Sequence, residues 1–239
     1  MKQTFLRLAG LSMIGLTMAS GAWSQTYTTI ALPDDQLNAD IRTWSSGSDY
    51  NALFPSSQST SGGVPFVLGL NAGGNNVIYD VNSVDIPVGV AGVQTVYTLI
   101  NTAFGAQGAL VGQLTFTATN GDTYSVSLIE GVNVRDHYAG SFVNTVSAPN
   151  VTLNVFGSPD NGRAHLDMQA FALPASFGAT TLQKVTFESY HAGGSGLPFV
   201  AGITVAAVPE PGSVALLLAG LGVLVIRRSS RPSPAARSA

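Results

Sequence analysis

The sequence predicts an all-β protein, a β-sandwich or jelly roll over residues 25–208, between an N-terminal signal peptide and one C-terminal transmembrane helix. Apolar residues alternate with polar ones at period two, as a strand with one face on a core requires. Gly, Pro, Asn and Ser clusters punctuate these runs, and no stretch of 25–208 sustains a helical period. The 239 residues include no cysteine, which excludes disulfide frameworks, zinc ribbons, iron–sulfur clusters and cysteine nucleophiles.

Charge divides the chain into three parts. Residues 1–24 carry Lys2 and Arg7 and no acid. Residues 25–208 carry twelve acids against Arg42, Arg135, Arg163 and Lys184. Residues 209–239 carry Glu210 against Arg227, Arg228, Arg231 and Arg237. The formal net charge of −3 speaks against a nucleic-acid binder.

The first part reads as a signal peptide, 1–24. Lys2 and Arg7 form a basic n-region, Leu8 to Met18 a short apolar stretch, and Ala22-Trp23-Ser24 a small-residue cleavage site before Gln25. A core helix is disfavoured because Gly10, Gly15 and Gly21 would each cost it about 1 kcal/mol. Signal peptidase is therefore an expected partner.

Within 25–208, Ser45–Gly63 is rich in Ser and Gly and reads as a surface loop. Strand-like runs follow at Thr95–Asn101, Gly112–Thr117, Asp122–Leu128, Val151–Phe156, Ala164–Ala172, Val185–Tyr190 and Phe199–Ala207. Asn120-Gly121 between the second and third of these predicts a hairpin with a type I′ turn. The phrase Gly63-Val64-Pro65-Phe66-Val67-Leu68-Gly69 echoes Gly196-Leu197-Pro198-Phe199-Val200-Ala201-Gly202, as two strands that begin alike.

The C-terminus reads Val208-Pro209-Glu210-Pro211-Gly212-Ser213, then an uncharged run Val214–Ile226, then Arg227-Arg228. Prolines at 209 and 211 exclude a continuing helix, so the transmembrane helix is placed at 212–226. It is shorter than the roughly 20 residues that cross a bilayer, a gap that tilt and snorkelling arginines can close. The basic cluster makes 232–239 a cytoplasmic tail.

Pro209, Glu210 and Pro211, the short apolar span and Arg227-Arg228 together resemble the PEP-CTERM sorting signal of Gram-negative bacteria, over residues 209–231. That resemblance implies an exosortase-type processing enzyme as partner. It also implies a precursor anchored in the inner membrane and a mature protein at the cell surface or in the extracellular matrix. Separately, Tyr97–Gly105 with the hairpin and Gly131–Asp136 is similar to galactose-binding-like, carbohydrate-binding-module β-sandwiches. That likeness implies a non-catalytic domain able to bind extracellular polysaccharide. A structural or adhesive envelope protein and a secreted glycan hydrolase are the alternatives.

No GxGxxG, GxxxxGK[ST], HExxH or GxSxG occurs, and His137, His165 and His191 are far apart in sequence. On a strand, Arg163, His165, Asp167 and Gln169 share one face, either a sugar- or cation-binding surface or a solvated face opposite Leu166 and Met168. Arg135-Asp136-His137 is either a polar ligand site or a structural ion pair. Trp44, beside Tyr50 and Phe54, is either a sugar-stacking platform or a cap on the core. The ligand-binding candidates are thus Trp44, Tyr50, Arg135, Asp136, His165, Asp167 and Gln169. No cofactor is expected beyond a structural Ca²⁺, for which Asp34-Asp35 and Asp160-Asn161 are candidate ligands.

Overall fold

The computed structural model describes residues 25–44, 50–51, 53–60, 62–140, 142–157, 163–190 and 196–208. The signal peptide, the transmembrane helix, the tail and Asp160-Asn161 lie outside the described residues. So does His191.

Strands β1 (Thr26–Ile30), β2 (Ser56–Ser59), β3 (Pro65–Leu68), β4 (Ile78–Tyr79), β5 (Val84–Ala91) and β6 (Val93–Ala103) occupy the first half. The second half holds β7 (Leu110–Ala118), β8 (Thr123–Ile129), β9 (Val151–Gly157), β10 (His165–Ala172), β11 (Thr181–Ser189) and β12 (Leu197–Ala207). Short 3-10 turns at Ile41–Thr43 and Ala175–Ala179 are the helical elements assigned among the described residues. A six-stranded sheet runs β1-β12-β6-β10-β9, with β4 also on β12. A four-stranded sheet runs β5-β11-β7-β8, and β2 and β3 form a separate pair. All of these strand pairings are antiparallel.

Two apolar layers hold this together. Ile86, Leu114, Phe116, Val185 and Phe187 of the smaller sheet meet Val96, Ile100, Phe171, Ile203 and Val205 of the larger one. Behind the larger sheet, Tyr50, Leu53, Phe54, Phe66 and Leu68 meet Leu99, Leu166, Met168, Phe199 and Ala201. Each such buried side chain contributes about 1.5–3 kcal/mol. The central sheet is therefore covered on both faces, and β12 is buried along nearly its whole length.

That second layer corrects the surface-loop expectation for Ser45–Gly63. Tyr50, Leu53 and Phe54 are buried and Ser56–Ser59 is a strand. Three large apolar side chains outweigh the Ser-rich composition around them. The two echoing phrases are in fact partners. A Cβ on Gly202 of β12 would lie 3.2 Å from Phe66 Cδ1 of β3, so the glycine lets the two strands pack closely.

The predicted hairpin forms as β7–β8, but its turn is not type I′. Gly121 is at φ 92°, whereas Asn120 is not among the positive-φ residues. The Gly121 N–H donates to Ala118 O at 3.0 Å, and the Ala118 N–H donates to Asp122 O at 2.9 Å. This is a type I turn closed by a left-handed glycine, which needs one positive φ rather than two.

Candidate functional site

The site grows from a place where two neighbouring strands part. Pairing of β6 with β10 runs from Thr95↔Ala172 to Leu99↔Met168. Beyond it the chain at 134–138 enters the gap, bridging Thr102 through Asp136 and Ala164 through Tyr138. Side-chain amides complete the ladder there. Gln169 Oε1 accepts from the Ile100 N–H at 3.1 Å and its Nε2 donates to Ile100 O at 2.8 Å. Asn101 Oδ1 accepts from the Asp167 N–H at 2.8 Å.

Arg135 and Asp167 are buried in this wedge as a bidentate pair, Nε to Oδ2 at 2.6 Å and Nη2 to Oδ1 at 2.9 Å. Asp167 also accepts from Asn101 Nδ2 and from the Asn154 N–H. Arg135 also donates to Asn154 Oδ1 and Asn144 O. The structural ion pair named as one reading of Arg135 is present, with its donors shared among protein acceptors. His165, Asp167 and Gln169 are buried, so the expected solvated face of this strand does not exist. Period-two alternation marks two faces, but here the polar one is engaged by β6, by Asn154 of β9 and by the inserted segment.

One residue further, Asp136 and His137 open on a cavity of about 450 Å³. Trp44, Tyr79, Phe104, Tyr138 and Phe142 provide its aromatic walls. The Trp44 ring stands edge-on to His137 at 5.0 Å, to Tyr79 at 5.1 Å and to Phe199 at 5.5 Å. Phe104 and Phe142 face each other edge-on at 5.5 Å and are 50% and 42% exposed. Phe104 sits at φ 61°, a left-handed conformation costly for a side chain of this size.

Asp136 Oδ1 accepts from the Tyr138 N–H at 2.7 Å and Oδ2 from the Gly105 N–H at 3.3 Å. Burial pushes its pKa up, against these backbone donors. Burial holds His137 down to about 3, with His165 adding to the effect. Tyr50 Oη lies 2.6 Å from His137 Nδ1, behind the cavity wall. His165 Nε2 is 3.0 Å from Asp136 O and Nδ1 is 3.1 Å from Arg163 O. Burial pushes the pKa of that ring down, against the two carbonyls, and a ring nitrogen that carries a proton donates to the carbonyl it faces. His137 and His165, distant in sequence, are thus neighbours, joined also by the His165 N–H to His137 O.

Glu130 is fully buried beside this site. Thr102 Oγ1 donates to its carboxylate at 2.8–2.9 Å, and burial raises its pKa to about 7. A Cβ on Gly105 would overlap that carboxylate, which explains the glycine after Phe104.

Of the sequence candidates, Trp44 and Asp136 line the cavity and Tyr50 supports it. Arg135, Asp167 and Gln169 belong to the wedge, and His165 links wedge to cavity. Sequence reasoning did not single out Phe104, Phe142, Tyr79 or Tyr138, because an isolated aromatic carries no periodic signal. Phe104-Gly105 directly after a strand run was the one local hint. Among the described residues no three His, Asp or Glu side chains come together as metal ligands.

Comparison with known proteins bears on the other end of the chain. Residues 207–231 match the PEP-CTERM protein-sorting motif. The protein is therefore an exported one that carries a surface-sorting signal, and Pro209, Glu210, Pro211, Arg227 and Arg228 lie within it. No curated protein matches the chain, so the likeness to carbohydrate-binding sandwiches rests on the residues alone. Among the described residues no helix is long and apolar enough to cross a membrane. The sorting motif begins on Ala207, whose backbone is still paired with Thr26 and Val93. The cavity lies near the opposite end of β12, where Leu197 pairs with Ala103. Ten residues of strand separate the two ends, about 33 Å.

Proposed function

We propose that this exported protein is a non-catalytic surface or extracellular-matrix module that binds polysaccharide in the aromatic cavity. An exosortase-type enzyme processes its membrane-anchored precursor. The single observation that carries the binding role is the pair Phe104 and Phe142, half-exposed at the mouth of a five-ring cavity. Exposed large aromatics around a concavity mark a recognition site, and a strained φ at one of them persists only where the surroundings impose it. The cavity volume is in the range of small-ligand sites. The C–H faces of a sugar ring pack on aromatic rings, while Asp136 and His137 at the base offer polar partners for its hydroxyls.

A hydrolase needs two carboxyl groups flanking the bond it cleaves. Among the described residues Asp136 is the sole carboxylate lining the cavity, and Glu130 is buried beneath Gly105. This supports binding rather than cleavage. The distance from the sorting motif supports display away from the membrane. Isothermal titration of the full chain in detergent against a panel of bacterial polysaccharides tests the reading. Saturable binding weakened by Phe142→Ala is expected. Lack of saturation with every polysaccharide would overturn it in favour of a purely structural envelope role.

A further inference from the structure

The cavity combines five aromatic rings with one buried carboxylate, and among the described residues no lysine or arginine lines it. We infer that its preferred ligand is a cationic amino sugar, a hexosamine unit carrying a free ammonium group. This rests on reading the cavity as a sugar site and names the class of sugar. Aromatic faces attract cations through their quadrupoles, most strongly where water is excluded. Asp136 supplies the opposite charge at the base and has no cationic partner among the described residues; its oxygens are oriented by the Gly105 and Tyr138 N–H groups. A carboxylate retains acceptor sites beyond those two bonds.

The charges that surround Asp136 do not satisfy it. Arg135, its neighbour in sequence, is committed to Asp167. Arg163 stacks on the Tyr138 ring, 4.6 Å from its centroid, and its Nε donates to Ala139 O. Burial disfavours the charged forms of His137 and His165, and Glu130, its pKa raised to about 7, is largely protonated at pH 6, so none of the three supplies a counter-charge. A neutral sugar would leave this carboxylate buried without a counter-charge, whereas an ammonium would provide one with charge-assisted hydrogen bonds.

The test is isothermal titration of the full chain in detergent at pH 6, with β-linked glucosamine hexamer and its fully N-acetylated counterpart. The free-amine hexamer is expected to bind at least tenfold more tightly. That preference should vanish in Asp136→Asn, while Phe142→Ala weakens both ligands and leaves the ratio. Because Asp136 is buried, wild type is also titrated across pH, a readout that needs no variant to fold. Affinity for the free-amine hexamer alone should fall as its ammonium groups deprotonate. Equal or tighter binding of the N-acetylated hexamer overturns the amino-sugar assignment and keeps the glycan reading. A folded Asp136→Asn that retains the preference overturns it too, and binding of neither hexamer nor any other polysaccharide overturns both.

Discussion

Arg135 and Asp136 are adjacent in sequence and buried to a similar degree, yet their surroundings differ in kind. Arg135 is matched by Asp167 at 2.6 and 2.9 Å, and the remaining donors reach Asn144 and Asn154. Asp136 is held by backbone N–H groups, has no cationic partner among the described residues and borders a cavity. The first arrangement is what a wedge between diverging strands needs to remain dry. The second leaves interaction capacity unspent, which is what a binding site needs. Burial alone does not separate the two roles; completeness of partnering does.

The comparison breaks most visibly at Asp167. Asp167→Ala leaves the Arg135 guanidinium buried without its carboxylate, and is expected to cost about 3–5 kcal/mol in denaturant unfolding. Replacing both partners by apolar residues of similar volume should recover most of that loss. A single-variant cost below about 1 kcal/mol, the range of exposed pairs, would show that the wedge is not sealed.

Glu130 comes next. Its pKa is 4.5 when unfolded and about 7 in the fold. Raised above its unfolded value, it contributes stability that is fully present below 4.5 and lost as pH rises through about 7. The loss amounts to about 3 kcal/mol. His137, held down near 3, acts in the opposite sense, losing stability as pH falls below 6.5. The difference between wild type and Glu130→Gln isolates the carboxyl. Melting curves from pH 4 to 8 should show the gap in favour of Glu130→Gln widening toward alkaline pH. A constant gap would mean that Glu130 is solvated.

Gly105→Ala sharpens the contrast on the cavity side. The added Cβ must displace Glu130 or shift the Phe104 backbone, at a cost of about 1–3 kcal/mol by the usual scale of overpacking. Thermal unfolding measures that cost, and combining it with Glu130→Ala should make the two substitutions less than additive. The smallest stability effect is expected from Phe142→Ala, within about 0.5 kcal/mol, because the ring is half-exposed. Affinity for polysaccharide should nevertheless fall about tenfold, the order typical of an anchor residue at a recognition site. Stability loss without affinity loss would reverse the roles assigned to wedge and cavity.

Much of the strand layout was legible because its signals are local. The runs around Leu114–Phe116, Val185–Phe187 and Phe199–Val205 alternate or stay apolar as buried strands do, and Gly121 supplies the left-handed position that the β7–β8 turn requires. Strand β5 escaped notice because Pro87 and Gly89 interrupt its apolar rhythm. Tyr50, Leu53 and Phe54 were hidden by their Ser-rich context. Of the site, Trp44 and Asp136 were legible by chemical type. Phe104, Phe142, Tyr79 and Tyr138 were not, since each reaches the cavity from a different element and none belongs to a motif.

By itself the sequence determined what short-range chemistry encodes: an all-β passenger, a Pro-Glu-Pro sorting signal at its end, and the glycine at the β7–β8 turn. Only the tertiary structure decided which polar residues are consumed within the fold and which border a ligand cavity. The reason is physical. Alternation along a strand specifies two faces but not what covers them, and the segments that cover these faces are distant in the sequence. Arg135 found its carboxylate 32 residues on, whereas Asp136 met aromatic rings gathered from both halves of the described chain.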